Sequence, residues 1–481
     1  MFLKRFYDEK LAQASYLLGC GATGEAMVVD PGRDIQQYID AAAAEGLQLS
    51  HVTETHIHAD FVSGTNELVA RTGARAYLSD EGGADWRYAF AEEIDAVLLR
   101  DGDEFHVGNV RVRALHTPGH TPEHMCFIFT DTAGADQPMG VFTGDFVFAG
   151  DVGRPDLLEK AAGVAGTMEA GARQLFESLK LLDALPEWIQ LWPGHGAGSA
   201  CGKSLGAVPS TTLGYEKLFN WAFSIETPAA FVAAVLAGQP EPPKYFAEMK
   251  RINREGPRVL GELAKPPREA PEALIHVLRD GGLIVDTRRW RDYRAGHAPG
   301  TLNIPLNRSF TTWAGWLIPY DRDVHLLVAA QDDASVGEAV RDLAKIGLDR
   351  ITGYFTDDAL SAWTAQGGTL ERLDEISVEE LRKRWDAGDV TLIDVRGVSE
   401  WQAGRIPGVA NIPLGYLAGH IDELPRDRPV AVHCESGSRS AIATSLLAMH
   451  GLTNVVNVDG GFTQWSQAGH PVEGGVTEAA D

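Results

Sequence analysis

Short apolar runs alternate with helical patterns along the first half of the chain, up to about Ala237. The runs "AMVVD", "HVTET", "VRVRALH", "GVFTGDF" and "IQLWPGH" have the length and bounding residues of buried or half-buried strands. Helical spacing or turn residues separate them. This alternation predicts a mixed α/β domain over residues 1–237.

Proline-rich segments follow that block. "GQPEPPK" and "KPPREAPEA" flank a short charged stretch with helical spacing. Proline interrupts regular elements because it lacks an amide hydrogen and its φ is fixed. The pattern therefore predicts a linker with a short helix at 238–271.

The sequence beyond the linker repeats itself. The stretch "LIVDTRRWRDYRAGHAPGTLNIPL" matches "LIDVRGVSEWQAGRIPGVANIPL", which aligns Asp286 with Asp394, and later "LAKIGL" matches "LAMHGL". Each repeat is long and mixes strand and helix patterns, which is typical of tandem domains rather than of a solenoid. Two α/β domains are predicted, at 272–371 and 374–473. Each is expected to have a parallel sheet covered by helices on both faces.

One strand–loop–helix pattern in the last domain contains a cysteine. "VAVH" predicts a buried strand, and "AIATSLLAMH" has helical spacing at Ile442, Leu446 and Leu447, with Gly451 as the helix stop. Cys434 lies between the strand and the helix. Loop amides and the helix dipole direct positive charge toward its sulfur, which favours the thiolate.

Arg439 adds a full positive charge to the same loop. The loop between the two residues consists of Glu435, Ser436, Gly437 and Ser438. Its C-x4-R spacing is one residue shorter than the spacing of phosphatases that use a cysteine and an arginine around a phosphate. A tighter loop suits a single sulfur better, so Cys434 and Arg439 are predicted to be catalytic and Cys434 to carry a persulfide. An inert buried cysteine is the alternative.

The C-terminal repeat resembles a rhodanese domain. The resemblance covers "IDVR", "GRIPGVANIPL", the loop from Cys434 to Arg439, and "NVDGGFTQW". It implies sulfur transfer through Cys434.

The first repeat has lost the residues of that chemistry. Ala330 takes the place of the cysteine and Ser335 that of the arginine, while Asp332 and Asp333 make the loop negative. A degenerate rhodanese-like domain without sulfur transfer is predicted, with a role in docking or spacing.

Composition and charge restrict the partners. The 481 residues, 44% of them hydrophobic and 23% charged, suffice for about three globular domains. The net charge of −25 disfavours nucleic acid as a partner, and an anionic substrate would need a local basic residue. Four cysteines make no disulfide framework. The stretch "MFLKRFYDEKLAQASYLLG" has neither a signal-peptide core nor a membrane span, so a cytoplasmic protein is expected.

Potential metal ligands gather in four segments of the first block, "ETHIHADF", "HTPGHTPEH", "VFTGDFVF" and "WPGHGAGS". Together the segments resemble the metallo-β-lactamase superfamily, whose αββα fold packs two β-sheets between helices. Hydrolases of that superfamily generally bind two metals. The resemblance implies a complete first ligand set, formed by His56, His58, His120 and Asp145.

The second ligand set is broken. It retains Asp60 and His195 but has Phe61 where the superfamily has a histidine. A phenyl ring cannot donate a lone pair, and it disfavours a nearby cation by desolvation. A mononuclear site is therefore predicted.

The ligand types alone leave the metal open. Zinc binds three protein ligands and a water in catalytic sites, and two histidines with one carboxylate also describe the facial triad of non-haem Fe(II) oxygenases. Resemblance to the persulfide dioxygenase branch implies one Fe(2+) per chain, with zinc as a substitute, bound by His56, His120 and Asp145. The same resemblance implies a shell of pocket residues, namely His58, Asp60, Phe61 and His195.

Three further residues are candidates for substrate binding. Arg154 follows Asp145 by nine residues, and dioxygenases of that branch carry an arginine at the matching place that binds a carboxylate of the thiol substrate. Cys201 lies six residues after His195 in a glycine-rich loop, with Lys203 close by. Cys201 has two interpretations, transient persulfide handling and a structural cysteine.

A persulfide connects the metal site with Cys434. The entire chain closely resembles bacterial persulfide dioxygenase–sulfurtransferase fusions of sulfide detoxification. The resemblance implies that a low-molecular-weight thiol persulfide is oxidised with O2 to sulfite, and that sulfur transfer makes or uses thiosulfate. A homo-oligomer is also expected. The alternatives are a zinc-dependent thioester hydrolase of the glyoxalase II type with an appended sulfurtransferase, and a non-enzymatic sulfur-relay or redox-sensing module.

Overall fold

The computed structural model describes residues 1–162, 166–329 and 333–474. They form two compact units. The first comprises Met1–Leu263 together with Leu343–Gly347, and the second comprises the other described residues from Ala264 onward. None of the helices in this described part of the chain is long and apolar enough to cross a membrane.

Two six-stranded sheets form the centre of the first unit. The first sheet has the order β1 to β6: β1 (Phe2–Asp8), β2 (Gln13–Cys20), β3 (Glu25–Val29), β4 (Gln48–Thr53), β5 (Arg75–Ser79) and β6 (Val97–Leu99). The second sheet has the order β12 to β7: β7 (Glu104–Val107), β8 (Val110–His116), β9 (Met125–Asp131), β10 (Gly140–Gly144), β11 (Gln190–Pro193) and β12 (Thr211–Thr212).

Helices cover the outer faces of both sheets. Those of the first unit are α1 (Gln36–Ala44), α2 (Thr65–Thr72), α3 (Leu157–Ala162), α4 (Thr167–Leu181), α5 (Leu213–Phe219), α6 (Pro228–Leu236) and α7 (Tyr245–Glu255). Residues of α1 and α2 share a core with the outer face of the first sheet, and residues of α4 and α6 share one with the outer face of the second. The predicted αββα sandwich is confirmed.

The alternation of side chains along a strand produces these layers. In β9, Phe127 and Phe129 point into the core between the sheets, while Cys126 and Ile128 point into the core beneath α4 and α6. Both faces of the strand are buried, which explains why "MCFIF" is apolar without interruption.

The four ligand segments all follow the carboxyl ends of strands. His56 comes after β4 in the first sheet, whereas His120, Asp145 and His195 come after β8, β10 and β11 in the second. Strand ends from both sheets therefore meet at one edge of the sandwich.

The charged helix expected within a linker is α7, and it belongs to the first unit. Its buried Asn253 donates from Nδ2 to the backbone oxygens of His58 at 2.8 Å and Phe61 at 2.7 Å. Asn253 Oδ1 accepts from the backbone N–H of Ser63 at 2.9 Å. One side chain thus fastens α7 to the loop that carries His56.

We expect Asn253→Ala to lower the free energy of unfolding by about 2–4 kcal/mol, because it leaves buried backbone groups of the His56 loop without partners. Chemical denaturation of the full chain measures this loss. Asn454→Ala, at an exposed position, is the control and should change stability by less than about 0.5 kcal/mol. A similarly small loss for Asn253→Ala would contradict the role given to this amide.

The second unit contains two parallel sheets, as predicted. The middle domain has the strand order β14-β13-β15-β16, and the C-terminal domain has the order β17-β21-β20-β18-β19. The strands are β13 (Leu283–Asp286), β14 (Leu302–Asn303), β15 (Val324–Val328), β16 (Ile351–Thr356), β17 (Asp374–Ile376), β18 (Thr391–Asp394), β19 (Ala410–Asn411), β20 (Val430–His433) and β21 (Val455–Val458). The helices are α8 (Leu274–Arg279), α9 (Trp290–Ala295), α10 (Phe310–Leu317), α11 (Asp333–Lys345), α12 (Asp358–Ala365), α13 (Val378–Asp386), α14 (Val398–Ala403), α15 (Ser438–Met449) and α16 (Gly461–Gln467).

The two repeats preserve one polar network. Asp394 and Arg396 form a buried ion pair at 2.8 Å, and Asn411 Nδ2 donates to the backbone oxygens of both residues. In the middle domain, Asp286 and Arg288 form the same pair at 2.6 Å, and Asn303 makes the same two hydrogen bonds. The repeated sequence therefore encodes a repeated fold.

The middle domain differs in the loop after β15. Ala330 and Asp332 lie outside the described residues, whereas Asp333 begins α11 and Ser335 lies within it. The replacement of the cysteine and the arginine in this loop is a feature of the sequence itself.

Candidate functional site

Three buried side chains converge at the edge of the sandwich. The nearest carboxylate and imidazole atoms of His56, His120 and Asp145 all lie within 4.8 Å of one another. His120 Nε2 is 3.5 Å from Asp145 Oδ2, and His56 Nε2 is 3.9 Å from the same oxygen. These separations leave room for one ion between the donors.

Hydrogen bonds determine which nitrogen of each imidazole faces the centre. Thr55 Oγ1 donates to Asp30 Oδ2 at 2.9 Å, so it must accept from His56 Nδ1 at 3.0 Å. His120 Nδ1 lies 2.9 Å from the backbone oxygen of Arg154, which can only accept. Both rings therefore carry the proton on Nδ1 and direct the Nε2 lone pair inward, as metal-ligating histidines do.

Burial keeps these imidazoles neutral. Desolvation, reinforced by the neighbouring histidines, lowers the pKa of His56 well below its usual value, and desolvation also lowers the pKa of His120. Metal ions bind the neutral ring, so the protonation state suits a ligand.

Several buried polar atoms at the centre have no hydrogen-bond partner among the described residues. They are Asp60 Oδ2, Asp145 Oδ1, Asp145 Oδ2 and His195 Nε2. An unpaired buried polar atom is costly, and a cation would satisfy both oxygens and nitrogens of this kind. The donor set therefore fits a bound metal ion.

His124 binds the backbone of Asp145. Its Nε2 accepts from the backbone N–H of Asp145 at 3.2 Å, and its Nδ1 lies 2.8 Å from Thr117 Oγ1. These hydrogen bonds give His124 a structural role, which is the positioning of Asp145.

His58 points away from the three central ligands. Its Nε2 is 3.0 Å from Asp30 Oδ1, and the Phe61 ring lies 4.4 Å from its imidazole between ring centroids. Burial acts to lower the pKa of His58, but the charge and hydrogen bond of Asp30 raise it to about 9. The phenyl ring, 1% exposed, thus packs on His58.

A second donor group lies beside the first. The ligand atoms of Asp60, His195 and Cys201 also fall within 4.8 Å of one another, and His195 Nε2 is 3.3 Å from Asp60 Oδ2. Burial, followed by the charges of Asp145 and Asp60, raises the pKa of Cys201 well above its usual value. These three residues offer an oxygen, a nitrogen and a sulfur as potential ligands beside the first group.

Tyr245 of α7 is a neighbour that the sequence patterns did not reveal. Burial first, and then the charges of Asp60 and Cys201, raise the pKa of its phenol. No local signal marks this residue, because it is 44 residues beyond the cysteine in an otherwise charged helix.

In the C-terminal domain, Cys434 follows β20 directly and precedes α15. Its sulfur accepts from the backbone N–H of Gly437 at 3.2 Å and from Ser440 Oγ at 3.5 Å. Gly437 has a φ of 98°, which favours glycine at the point where the loop turns its amide toward the sulfur. Donors of this kind stabilise a thiolate or a persulfide anion.

Arg439 is held by a residue that the sequence did not single out. Its guanidinium forms two hydrogen bonds of 2.6 Å with the carboxylate of Glu400. Burial opposes the charge of Arg439, but the bonds to Glu400 and the nearby Cys434 raise its pKa. The cation is thus fixed beside the sulfur.

The segment "NVDGGFTQW" supports the cysteine loop. The backbone N–H of Phe462 donates to the Cys434 carbonyl at 2.7 Å, and Thr463 Oγ1 donates to Glu435 Oε1 at 2.8 Å. A Cβ at Gly461 would lie 2.3 Å from the Cys434 oxygen, so only glycine permits this approach. The remaining loop positions are Ser436 and Ser438, and the second of these begins α15.

Comparison with known proteins agrees with both halves of the architecture. Residues 9–195 match the metallo-beta-lactamase superfamily, and residues 377–468 match the rhodanese-like domain. A hydroxyacylglutathione hydrolase of Rhodopseudomonas palustris is 30% identical over 50% of this chain and 80% of its own length. The chain belongs to the metallo-β-lactamase superfamily.

Other relatives agree with this membership. The structure of a metallo-beta-lactamase from Staphylococcus aureus is 43% identical, covers 74% of this chain and 99% of its own, and has a TM-score of 0.65. A hydroxyacylglutathione hydrolase of Methylococcus capsulatus is 36% identical over 37% of this chain, which spans only 60% of that relative's length.

Arg154 of the metallo-β-lactamase domain lies in the interior of the first unit, with hydrogen-bond partners within the chain. Its side chain is fully buried, and Nε and Nη2 donate to Asp156 at 2.7 and 2.8 Å. Nη1 donates to the backbone oxygen of Ala200 at 2.9 Å, and the Arg154 oxygen orients His120. These hydrogen bonds connect Arg154 to the loop of His120 and to the loop of Cys201. The substrate role expected from the sequence stays a prediction.

Lys203 of the same unit contacts the segment around α6. Its Nζ donates to the backbone oxygen of Ala234 at 2.6 Å and lies 4.3 Å from the centroid of the Trp221 ring. These contacts fasten the loop after Cys201 to the end of α6. The substrate role expected for Lys203 stays a prediction.

Proposed function

We propose that this protein is a non-haem Fe(II) persulfide dioxygenase joined to a sulfurtransferase. The metallo-β-lactamase domain would oxidise a low-molecular-weight thiol persulfide with O2 to sulfite. The C-terminal rhodanese-like domain would carry sulfane sulfur on Cys434. Sulfide detoxification is the setting that the sequence resemblance implies.

The convergence of His56, His120 and Asp145 is the observation that carries this proposal. Two neutral imidazoles and one carboxylate are the donor set of the facial triad, which leaves positions open on the metal. Phe61 supports a single metal, because it stands at the sequence position where the superfamily has a further histidine ligand and a phenyl ring cannot donate a lone pair.

Bound by these three residues, Fe(II) would supply the redox chemistry that brings O2 to react with a sulfur anion. The protein's own residues perform the rest. His120 and His56 present unprotonated Nε2 atoms, and Asp145 presents a carboxylate without a hydrogen-bond partner among the described residues. Overall, R–S–SH, O2 and H2O give R–SH, SO3²⁻ and two protons, so that sulfur is oxidised and dioxygen is reduced.

The sulfur-transfer step uses the Cys434 loop. The Cys434 thiolate attacks the sulfane sulfur of R–S–SH and forms a new S–S bond. The S–S bond of the substrate breaks, and the thiol R–SH leaves with the proton. The N–H of Gly437 and the charge of Arg439 stabilise the resulting persulfide anion. Transfer of that sulfur to sulfite gives thiosulfate and regenerates the thiolate, and the reverse direction uses the same groups.

Metal content and oxygen uptake test the first activity together. We expect one iron per chain after anaerobic purification, and O2 consumption with stoichiometric sulfite when a thiol persulfide is added. A chelator should abolish both, and Fe(II) should restore them. Two zinc ions per chain without O2 uptake would overturn the proposal.

A second candidate is a zinc-dependent thioester hydrolase. It is favoured by the relatives that are named hydroxyacylglutathione hydrolases and by the second donor group of Asp60, His195 and Cys201. This function predicts cleavage of an S-acyl thiol without O2, measured by release of free thiol from a thioester. Such cleavage at a higher rate than persulfide oxidation would select it.

A further inference from the structure

The first unit contains a cavity of about 520 Å³ that the sequence analysis did not assign. Gly119 and Pro122 line it, and both belong to the loop that carries His120. One wall is the beginning of α4, and the opposite wall is α7. Its volume is that of a typical small-molecule site, and two of its lining residues flank the candidate metal ligand His120 in sequence.

The α7 wall is basic. Ala247, Lys250 and Arg254 line the cavity at intervals of three and four residues, which places them on one face of the helix, and Arg251 adjoins them. Three cations in little more than one turn stand out in a chain whose net charge is −25. The cavity therefore offers the local positive charge that an anionic substrate of this acidic protein needs.

Two of the three cations differ in how acidic residues engage them. Arg251 is neutralised by ion pairs with Glu248 and Glu255. Arg254 lies 3.8 Å from Glu255 Oε1, beyond hydrogen-bonding distance. Arg254 is therefore better placed than Arg251 to bind an added anion.

Lys250 is the third cation, and an aromatic ring holds it in place. Its Nζ lies 3.4 Å from the centroid of the Trp86 ring, which positions the ammonium at the cavity wall. Burial lowers the pKa of Lys250 to about 8, while the charge of Glu123 acts to raise it. The lysine is thus largely protonated near neutral pH, and an anion in the cavity would stabilise its charge further.

The opposite wall adds a favourable field. Thr167, Ala170 and Gly171 of the first turns of α4 line the cavity, and this helix of 15 residues directs the positive end of its dipole there. Gln174, one turn further, supplies an uncharged hydrogen-bonding group. Asp85 at the rim is an opposing charge, and it is exposed.

We propose that this cavity binds the carrier portion of the thiol substrate, and that the carrier bears carboxylate or phosphate groups that pair with Lys250 and Arg254. That the carrier ends in a persulfide rests on the proposed function. That the carrier is anionic is inferred from the cationic residues that line the cavity. The carrier lies along α7, and its sulfur end reaches past the Gly119–Pro122 loop toward the metal centre.

Calorimetric titration of the metal-loaded full chain with free thiols tests this proposal. Glutathione probes carboxylates, coenzyme A probes phosphates, and 2-mercaptoethanol is the uncharged reference. We expect at least one of the two anionic thiols to bind. The double variant Lys250→Gln/Arg254→Gln should raise the Kd of that thiol by about tenfold or more. Lys250→Arg should retain affinity within about threefold. Arg111→Gln, on the surface of β8, is the charge control and should change nothing.

A second measurement is the KM of persulfides. The ratio of KM for the anionic persulfide to that for 2-mercaptoethanol persulfide should rise about tenfold in the double variant. The idea is overturned if the double variant binds both anionic thiols as the wild type does, or if neither thiol binds better than 2-mercaptoethanol. Thiol binding requires neither O2 nor turnover. The titration can therefore fail or succeed independently of the oxygen-uptake test of the proposed function.

Discussion

We expect Cys434→Ser to retain O2 uptake and sulfite production while losing thiosulfate formation by about 1,000-fold or more. A serine hydroxyl in the same loop remains protonated near neutral pH and cannot accept a sulfane sulfur. The dioxygenase rate should stay within about twofold, because Cys434 lies in the second unit and the candidate metal ligands lie in the first. Oxygen electrode traces together with chromatography of sulfite and thiosulfate measure both rates in one reaction.

Cys20→Ser is the matched control, since it removes a thiol elsewhere in the chain and should preserve both activities. Glu400→Gln addresses the loop without touching the sulfur. It should weaken sulfur transfer, because the Arg439 guanidinium loses the charged partner that holds it beside the sulfur, while sulfite production stays intact. If Cys434→Ser also stopped O2 uptake with a small persulfide, the separation into two sites would be refuted.

Asp145→Ala should release the metal and abolish oxygen uptake together. The carboxylate supplies the negative charge of the proposed triad, and the loss of groups that merely orient metal ligands already costs about 10–100-fold in affinity or activity. We therefore expect metal content below about one-tenth of an ion per chain and O2 uptake reduced by more than about 100-fold. Metal analysis of the purified variant and an oxygen electrode make the two measurements.

Sulfur transfer from thiosulfate to cyanide should persist in Asp145→Ala, which verifies that the second unit remains folded, and chemical denaturation verifies the first unit. Asp136→Ala, at an exposed position in the loop after β9, serves as the carboxylate control and should bind metal normally. Full metal content in Asp145→Ala would remove this residue from the ligand set and favour the neighbouring group of Asp60, His195 and Cys201.

Local sequence predicted much of the fold because its signals are short. The uninterrupted apolar runs became strands buried on both faces, and the repeat of "DTR" and "DVR" became the same ion pair in two parallel sheets. The loop from Cys434 to Arg439 could also be placed from the pattern alone, since a strand and a helix flank it directly. The division into 1–237, 238–271, 272–371 and 374–473 also rests on local patterns. It assigns α7 to a linker, whereas α7 packs within the first unit.

Helix α7 shows why a linker pattern is ambiguous. Prolines on both sides and a charged surface indicated a connector, but Tyr245, Phe246, Met249 and Asn253 are buried. The positions recur at helical spacing on one face, and the hydrogen-bond partners of Asn253 are at least 190 positions earlier in the chain. No local pattern encodes a contact over that separation.

The sequence by itself determined the kinds of chemistry this protein carries. Histidines and carboxylates after strands, Phe61 in place of a ligand, and a cysteine before a helix are properties of short segments, and the strand and helix patterns that flank them place them in strand-end loops. Tertiary structure alone decided which distant side chains surround those loops. It buried Arg154 against Asp156, turned Lys203 toward α6, and brought Lys250 of α7 to the loop of His120, because the distances between groups that are far apart in the chain depend on how the layers pack.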